Sequence, residues 1–492
     1  MTAGGLRDRI GLGRESRVDF LKTLREKIGE QGPPLSSRDA VNQAMIRHWC
    51  DAMEDDHPVY TDPEWAARSQ HGEIVAPPAM LNAWTMQGLR PPAPSAEVTS
   101  DPASEVYEAL DRAGFTSVVA TNSEHEYDRY LRLGDLISGT SRLTEVSEEK
   151  TTGLGVGHFV TTETDFSDQG GNSVGRMLFR ILKFRPGTGR ASSAGEASQN
   201  ASAPQAGERP PRPSPAISRD TQFFWEGLEN GELRIQRCEG CAELFHPPVV
   251  RCPACGGYSM GWQTATGRAH LYSYVAPEYP HFAAFDPGYI VGLVELEEGT
   301  RLLTNIVDVD PEEVRVGMSL ELVVRSDNSD CPLPMFRPVR PERRTQTPRL
   351  ETVQVGERLA ACPIPITTTS IVATAMASRD YQDVHHDREL AQRRGSPDIF
   401  MNILTTSGLC ARYVTDWGGP DVMLKRLAIR LGVPNYPGDT MTMTGRVEAI
   451  RDRQVELSVS GRNRVGPHVT GEIQLEWPRG GDRTGPWADP IP

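Results

Sequence analysis

Asp380 and His385 stand five residues apart in the stretch 379–386, Arg-Asp-Tyr-Gln-Asp-Val-His-His. A carboxylate and an imidazole at that separation can share one water molecule. One accepts a proton while the other holds or returns it, which is the chemistry of adding water to a carbon–carbon double bond or removing it. The same spacing also suits a charged surface turn ahead of a capped helix, so the rest of the chain has to decide. The second chemical signal is Cys238-x2-Cys241-x10-Cys252-x2-Cys255. Two CxxC pairs can close a tetrahedron of thiolates on one zinc ion, and four sulfur ligands leave no open position, so such a metal is structural. A redox reading of CxxC needs a thioredoxin-like βαβ setting, which the flanking sequence lacks. The other four of the eight cysteines, Cys50, Cys331, Cys362 and Cys410, are scattered. This usage fits a metal site in a reducing compartment better than a disulfide framework.

At 492 residues the chain is too long for one core and suggests about two to four domains. A net charge of −14 argues against a general nucleic-acid binder. No apolar run reaches the ~18–20 residues of a membrane span. Residues 1–13 lack the apolar core of a secretory signal. The expected setting is cytoplasmic, with no membrane and no nucleic-acid partner.

The elements that must position these residues fall into seven stretches. Residues 1–34 are an N-terminal extension with one amphipathic helix near 17–31. Residues 35–185 form a first unit: a helix from 36 to 53, an apolar helix at 79–88, then strands near 116–130, 136–147, 151–165 and 173–184. Residues 186–218, rich in Ala, Ser, Gly and Pro, read as a disordered linker. Residues 219–336 open with a helix at 221–233, pass through the four cysteines, and continue as short strands at 267–275, 289–295, 302–307 and 319–324. That pattern suits a small OB-type barrel. Residues 337–349 are an Arg/Pro-rich link. Residues 350–478 repeat the first architecture: a helix start near 369, the Asp380–His385 turn, an apolar helix at 399–417, and strands at 423–431, 440–450, 455–463 and 469–477. Residues 479–492 are a tail.

With these pieces placed, 35–185 and 350–478 resemble MaoC-like hot-dog domains, in which a curved sheet wraps a central helix. Residues 219–336 resemble the zinc-ribbon plus OB-fold acyl-CoA-associated family. That match is carried by the four cysteines, by Gly-Glu-Leu-Arg-Ile-Gln-Arg at 231–237, by Leu-Leu-Thr-Asn at 302–305 and by Leu-Pro-Met-Phe-Arg at 333–337. The order is similar to the two-subunit enoyl-CoA hydratases of actinobacterial steroid side-chain degradation, here joined in one chain. The implied fold class is α+β: two hot-dog domains as a pseudo-dimer, plus a zinc ribbon with a small OB-type barrel.

The family motif, roughly D-x-N-P-x-H, corresponds to Asp380-Tyr-Gln-Asp-Val-His385. In the first unit the aligned stretch is Asp55-Asp-His-Pro-Val-Tyr60, with Tyr60 in place of the histidine. A phenol, with a pKa near 10 against ~6.5 for imidazole, is a poor proton shuttle at neutral pH. The first hot-dog is therefore read as non-catalytic, with His57 and Tyr60 as packing or ligand-lining residues. The resemblance implies hydration of a bulky trans-2-enoyl-CoA to the 3-hydroxyacyl-CoA. The acyl group would be a steroid side chain, and the product a tertiary alcohol ready for retro-aldol cleavage. Asn402 falls where the family has a glycine whose backbone N–H, at the start of the central helix, meets the developing enolate. The cofactors implied are a structural zinc and coenzyme A as part of the substrate. The partners implied are the acyl-CoA and a thiolase-fold aldolase docked on the zinc-ribbon/OB module, with a homodimer as one available assembly. Two other classes stay open: a hot-dog acyl-CoA thioesterase and a non-enzymatic acyl-CoA scaffold. Arg412, Lys425 and Arg426 are candidates for the CoA phosphates by charge alone.

Overall fold

A computed structural model of the protein describes residues 14–89, 101–188, 210–280, 282–285 and 287–479. Most of the strands join one antiparallel sheet. Its path runs Leu35–Ser36, Ser138–Val146, Gly155–Ser167, Ser173–Pro186 and Ser117–Tyr127 in the first half. It crosses to Met423–Leu431, Gly466–Glu476, Gln454–Asn463, Thr440–Arg451 and Arg358–Pro365 in the second. The seam pairs Arg426 with Glu126, Leu427 with His125 and Arg430 with Asn122. Arg426 also meets Glu124 across it at 2.7 Å, and the Leu424 N–H donates to the Tyr130 hydroxyl at 2.8 Å. Alternation supplies the inward face: Val455, Leu457 and Val459 are buried on one strand, and Leu427 and Ile429 on another.

In the second half that face wraps the helix Ile403–Gly418, which is buried on almost every side. Its outer side is covered by the helix Gln43–Met53 of the first half. The two approach closely because Gly408 has no side chain: a Cβ there would come within 2.9 Å of the Trp49 ring and 3.0 Å of Met53.

The first half is filled differently. The apolar run read as a helix over 79–88 is instead a seven-residue 3-10 helix, Pro78–Trp84. Pro77 and Pro78 fix its start, and Gly88, at φ +79°, belongs to the turn that carries the chain away. The helix read from Ser36 begins at Gln43. Asn42 caps it, while Ser36 is committed to pairing with Ser138. The reading also missed a helix, Pro102–Arg112, capped by Asp101. It missed the strands Leu333–Pro338 and Arg358–Pro365 as well.

Between the halves lie a three-stranded zinc ribbon and a closed five-stranded barrel. The barrel strands are Arg268–Val275, Ile290–Leu296, Arg301–Ile306, Leu333–Pro338 and Ser319–Arg325. The barrel rests on the second half through Arg358–Glu313 (2.5 Å) and Arg462–Asp310 (2.9 Å). Of the linker read over 186–218, the strand Ser173–Pro186 takes the first residue, and 189–209 lie outside the described residues. The last part lies on the barrel, with Arg212 bonded to Asn305 and Ser214 to Asp330. Tail residues 480–492 also lie outside the described residues.

The Arg/Pro link is pinned. Arg343 bridges Asp55 of the first half (2.8 Å) and Asp416 of the central helix (2.6 Å). Burial pushes the Asp416 carboxyl up, and the Arg343 guanidinium pulls it back. Arg343→Ala would leave two buried carboxylates without their cation. It is expected to cost about 3–5 kcal/mol of stability in denaturant unfolding. A loss under ~0.5 kcal/mol would mean this link is not clamped in solution.

Candidate active site and metal centre

The turn that carries Asp380 and His385 is built by what precedes it. Thr367 and Ser370 form a reciprocal capping box that starts the helix Thr368–Ala377. The helix ends at Ser378, and Arg379 takes a left-handed conformation, φ +59°. That conformation is costly for a residue with a side chain, and it turns the chain sharply just before Asp380. Asp380 and His385 are 6 % and 5 % exposed. The short turn of 3-10 helix Asp383–His385 brings the imidazole back over the carboxylate, with Nε2 3.5 Å from Asp380 Oδ2.

The hydrogen bonds assign the atoms. His385 Nδ1 lies 2.7 Å from the Phe400 carbonyl, which can only accept, so Nδ1 carries the proton and Nε2 presents its lone pair. Burial lowers the His385 pKa, opposed by the Asp380 charge, so the ring is neutral at neutral pH. Two lone pairs therefore face each other across 3.5 Å, an arrangement that a water donating toward both would relieve.

Asn402 joins them. It is the N-cap of the central helix, its Oδ1 accepting from the Thr405 N–H at 2.7 Å. Its Nδ2 donates to Asp380 Oδ2 at 3.0 Å and to Ser378 Oγ at 3.1 Å. A glycine at this position could do neither. The carboxamide thus locks the carboxylate to the helix start, and among the described residues the Asn402 backbone N–H makes no backbone hydrogen bond. All three residues singled out for chemistry, Asp380, His385 and Asn402, meet at one point. Ser378, Phe400 and Gly88 also belong to it and went unrecognised in the sequence. Gly88 comes from the first half and lies against Arg379 and Tyr381. None of these three carries a charge or a motif that could have marked it.

The neighbouring polar residues are engaged elsewhere. His386 is exposed, and Asp383 pairs with Arg394 at 2.6 Å. In the first half, Asp55 is neutralised by Arg343, His57 Nδ1 accepts from the Val59 N–H, and Tyr60 is 2 % exposed. Arg412 is 2 % exposed and donates to the Met53 carbonyl, which removes it as a phosphate contact. Lys425 reaches the Asp128 carbonyl, and Arg426 pairs with Glu124.

The four cysteine sulfurs Cys238, Cys241, Cys252 and Cys255 lie within 4.8 Å of one another, with Cys238–Cys255 and Cys241–Cys252 both at 3.6 Å. A tetrahedron with ~2.3 Å Zn–S bonds has sulfur–sulfur edges of roughly 3.8 Å, so the set fits zinc closely. The strand Arg234–Cys238 presents the first ligand at its end.

Two outcomes follow from this geometry. With the His385 ring neutral, an acid/base role for it would leave activity flat around neutrality. It should fall only as pH drops below the ordinary imidazole value near 6.5; a pH–rate profile with an acid limb above 7 would contradict the burial effect. Elemental analysis should find about one zinc per chain, abolished by Cys252→Ser with loss of the ribbon's fold.

Comparison with known proteins completes the picture. Residues 29–177 match the family described as FAS1-like, dehydratase domain region, and residues 351–466 match the MaoC like domain. Residues 225–260 match the ChsH2 rubredoxin-like zinc ribbon domain, and 262–325 the ChsH2 C-terminal OB-fold domain. A probable enoyl-CoA hydratase alpha subunit of Thermomonospora curvata is 39% identical over 67% of this chain and 100% of its own length. The beta subunit of the 3-oxo-4,17-pregnadiene-20-carboxyl-CoA hydratase of Mycobacterium tuberculosis is 54% identical over 22% of this chain and 83% of its own length. A solved MaoC-like dehydratase shares the fold, with a TM-score of 0.51 at 16% identity, covering 92% of this chain and 100% of that one. With its two hot-dog halves, its zinc ribbon and barrel, and its paired carboxylate and imidazole, the chain belongs to the MaoC-like enoyl-CoA hydratase family that carries the ChsH2-type zinc ribbon and OB fold.

Proposed function

We propose that the chain hydrates a bulky trans-2-enoyl-CoA, a steroid side-chain thioester, to the 3-hydroxyacyl-CoA, with Asp380 and His385 as the acid/base pair. The observation that carries this is the buried 3.5 Å approach of His385 Nε2 to Asp380 Oδ2, with Asn402 fixing the carboxylate and the Phe400 carbonyl fixing the ring. A water held by the pair attacks the β-carbon and gives up one proton to the Asp380–His385 pair. The new C–O bond pushes the double-bond electrons into the thioester as an enolate, and a proton returned by the pair to the α-carbon completes the addition. The backbone N–H of Asn402, at the positive end of the central helix, is the donor for the enolate oxygen.

The size of the acyl group is supported by the unequal filling of the two halves. Seven residues of 3-10 helix span roughly 14 Å, where sixteen of α-helix span roughly 24 Å. On this reading the acyl group takes the stretch of the first half's inner face between the shorter filler and the helices Arg14–Glu26 and Pro102–Arg112, which cover the rest of that face. A steroid skeleton also agrees with the substrate for which the Mycobacterium tuberculosis relative is named.

The zinc ribbon and barrel form the docking module for a thiolase-fold aldolase that cleaves the tertiary alcohol. Support comes from the apolar side chains that the barrel leaves in solvent: Leu303, Val275, Tyr272, Phe282 and Tyr279, the last 89% exposed.

Loss of enoyl-thioester absorbance, followed on short, medium and steroid 2-enoyl-CoAs, tests the reaction. Asp380→Asn and His385→Ala are each expected to lower kcat/KM by about 10²–10⁴-fold, and Tyr60→Phe to leave it within about twofold. An intact protein inert on all of these substrates would end the hydratase reading. Release of free thiol would replace it with a thioesterase.

A further inference from the structure

Among the described residues, three buried aromatic side chains of the first half each keep a polar atom with no hydrogen-bond partner: Trp84 Nε1, His125 Nδ1 and Tyr127 Oη. Their residues are 1 %, 0 % and 3 % exposed. Each unmet donor or acceptor costs the fold free energy with no internal return.

Their placement is connected. Ser123, His125 and Tyr127 alternate along the inward face of Ser117–Tyr127, the strand that forms the seam. Ser123 Oγ lies 2.8 Å from His125 Nε2, so that nitrogen is engaged and Nδ1 is left over. The His125 and Tyr127 rings stack at 5.9 Å. The short helix Pro78–Trp84 packs on the same region. Tyr127 pairs with Gly175, and a Cβ on Gly175 would come within 3.0 Å of Leu81. The central helix packs against both the short helix and this strand. Four residues beyond Trp84, Gly88 lies against Arg379 and Tyr381, the neighbours of Asp380. Four residues span at most ~14 Å, so Trp84 is within an acyl group's reach of the catalytic turn.

We infer that His125 and Tyr127, with Trp84 on the adjoining short helix, form a polar subsite for an oxygen at the end of the acyl group remote from the thioester, a ring ketone or hydroxyl. An indole N–H can only donate, and a phenol and a neutral imidazole can each donate as well. Their common complement is an acceptor oxygen. An acyl group ending in hydrocarbon leaves these groups unmet, and a site built to hydrogen-bond a substrate oxygen rejects the analogue lacking it more strongly than a greasy pocket rejects a missing methylene. The inference rests on the acyl-CoA reading above, and it extends that reading from the size of the substrate to its chemistry.

The test uses the full-length protein and two saturated, unreactive acyl-CoAs of one ring-bearing skeleton, with and without a remote ketone. Calorimetric titration is expected to show the ketone form binding at least about tenfold more tightly. Tyr127→Phe, which removes one oxygen and keeps the ring, and His125→Gln should each cut that preference about fivefold or more, with affinity for the deoxy ligand unchanged. Equal affinities in the wild type, or a preference untouched by Tyr127→Phe in a protein with an unchanged melting point, would overturn the subsite and leave those atoms to ordered water. Hydration assays on the matching 2-enoyl pair separate the two readings. A binding preference without turnover would sink only the hydratase. Turnover of both substrates at equal kcat/KM would sink only the subsite.

Discussion

The antiparallel seam between residues 122–126 and 426–430 is the contact on which the other arrangements depend. It joins stretches some three hundred residues apart, with the Arg426–Glu124 pair across it. Once it forms, the two sheets share one inner face. The helix Ile403–Gly418 can then be covered from the other half by Trp49 and Met53, and Gly88 can reach the turn that holds Asp380. Without the seam, that helix would expose apolar side chains that its own half cannot cover, and the Asp380–His385 turn would lose its neighbour from the first half.

Within the site, one carboxamide does several things at once. Asn402 ends the irregular chain, starts the helix and holds Asp380. The position of the Asp380 carboxylate is thereby tied to a helix that is buried along almost its whole length. The first half retains the geometry of such a turn but has changed its chemistry. Its aspartate is ion-paired to Arg343, its histidine caps a short helix, and a tyrosine fills the remaining position.

How far this could be read in the sequence depended on how local each signal was. The cysteine spacing is a local rule, and the four sulfurs cluster as it required. Strands with clean alternation, such as Gln454–Asn463, were found within a residue. Arg358–Pro365 was missed because Pro363 and Pro365 read as breakers, yet it lies at the sheet's edge, where proline costs little. Leu333–Pro338 carries two prolines in the same way. The run from Pro78 to Trp84 is apolar enough for a helix of any kind, and only its tertiary setting makes it short and 3-10. Asp380 and His385 could be singled out, but the residues that aim them could not, since Ser378, Phe400 and Gly88 act through backbone or shape.

The clamp at Arg343 has a further consequence for how the two halves stay together. In relatives, alpha and beta subunits are separate polypeptides; here the second half follows the barrel along a link held at both Asp55 and Asp416. A covalent tether turns a bimolecular encounter into an intramolecular one. The two hot-dog halves are thus supplied in equal number and remain paired at dilutions where independent subunits would drift apart.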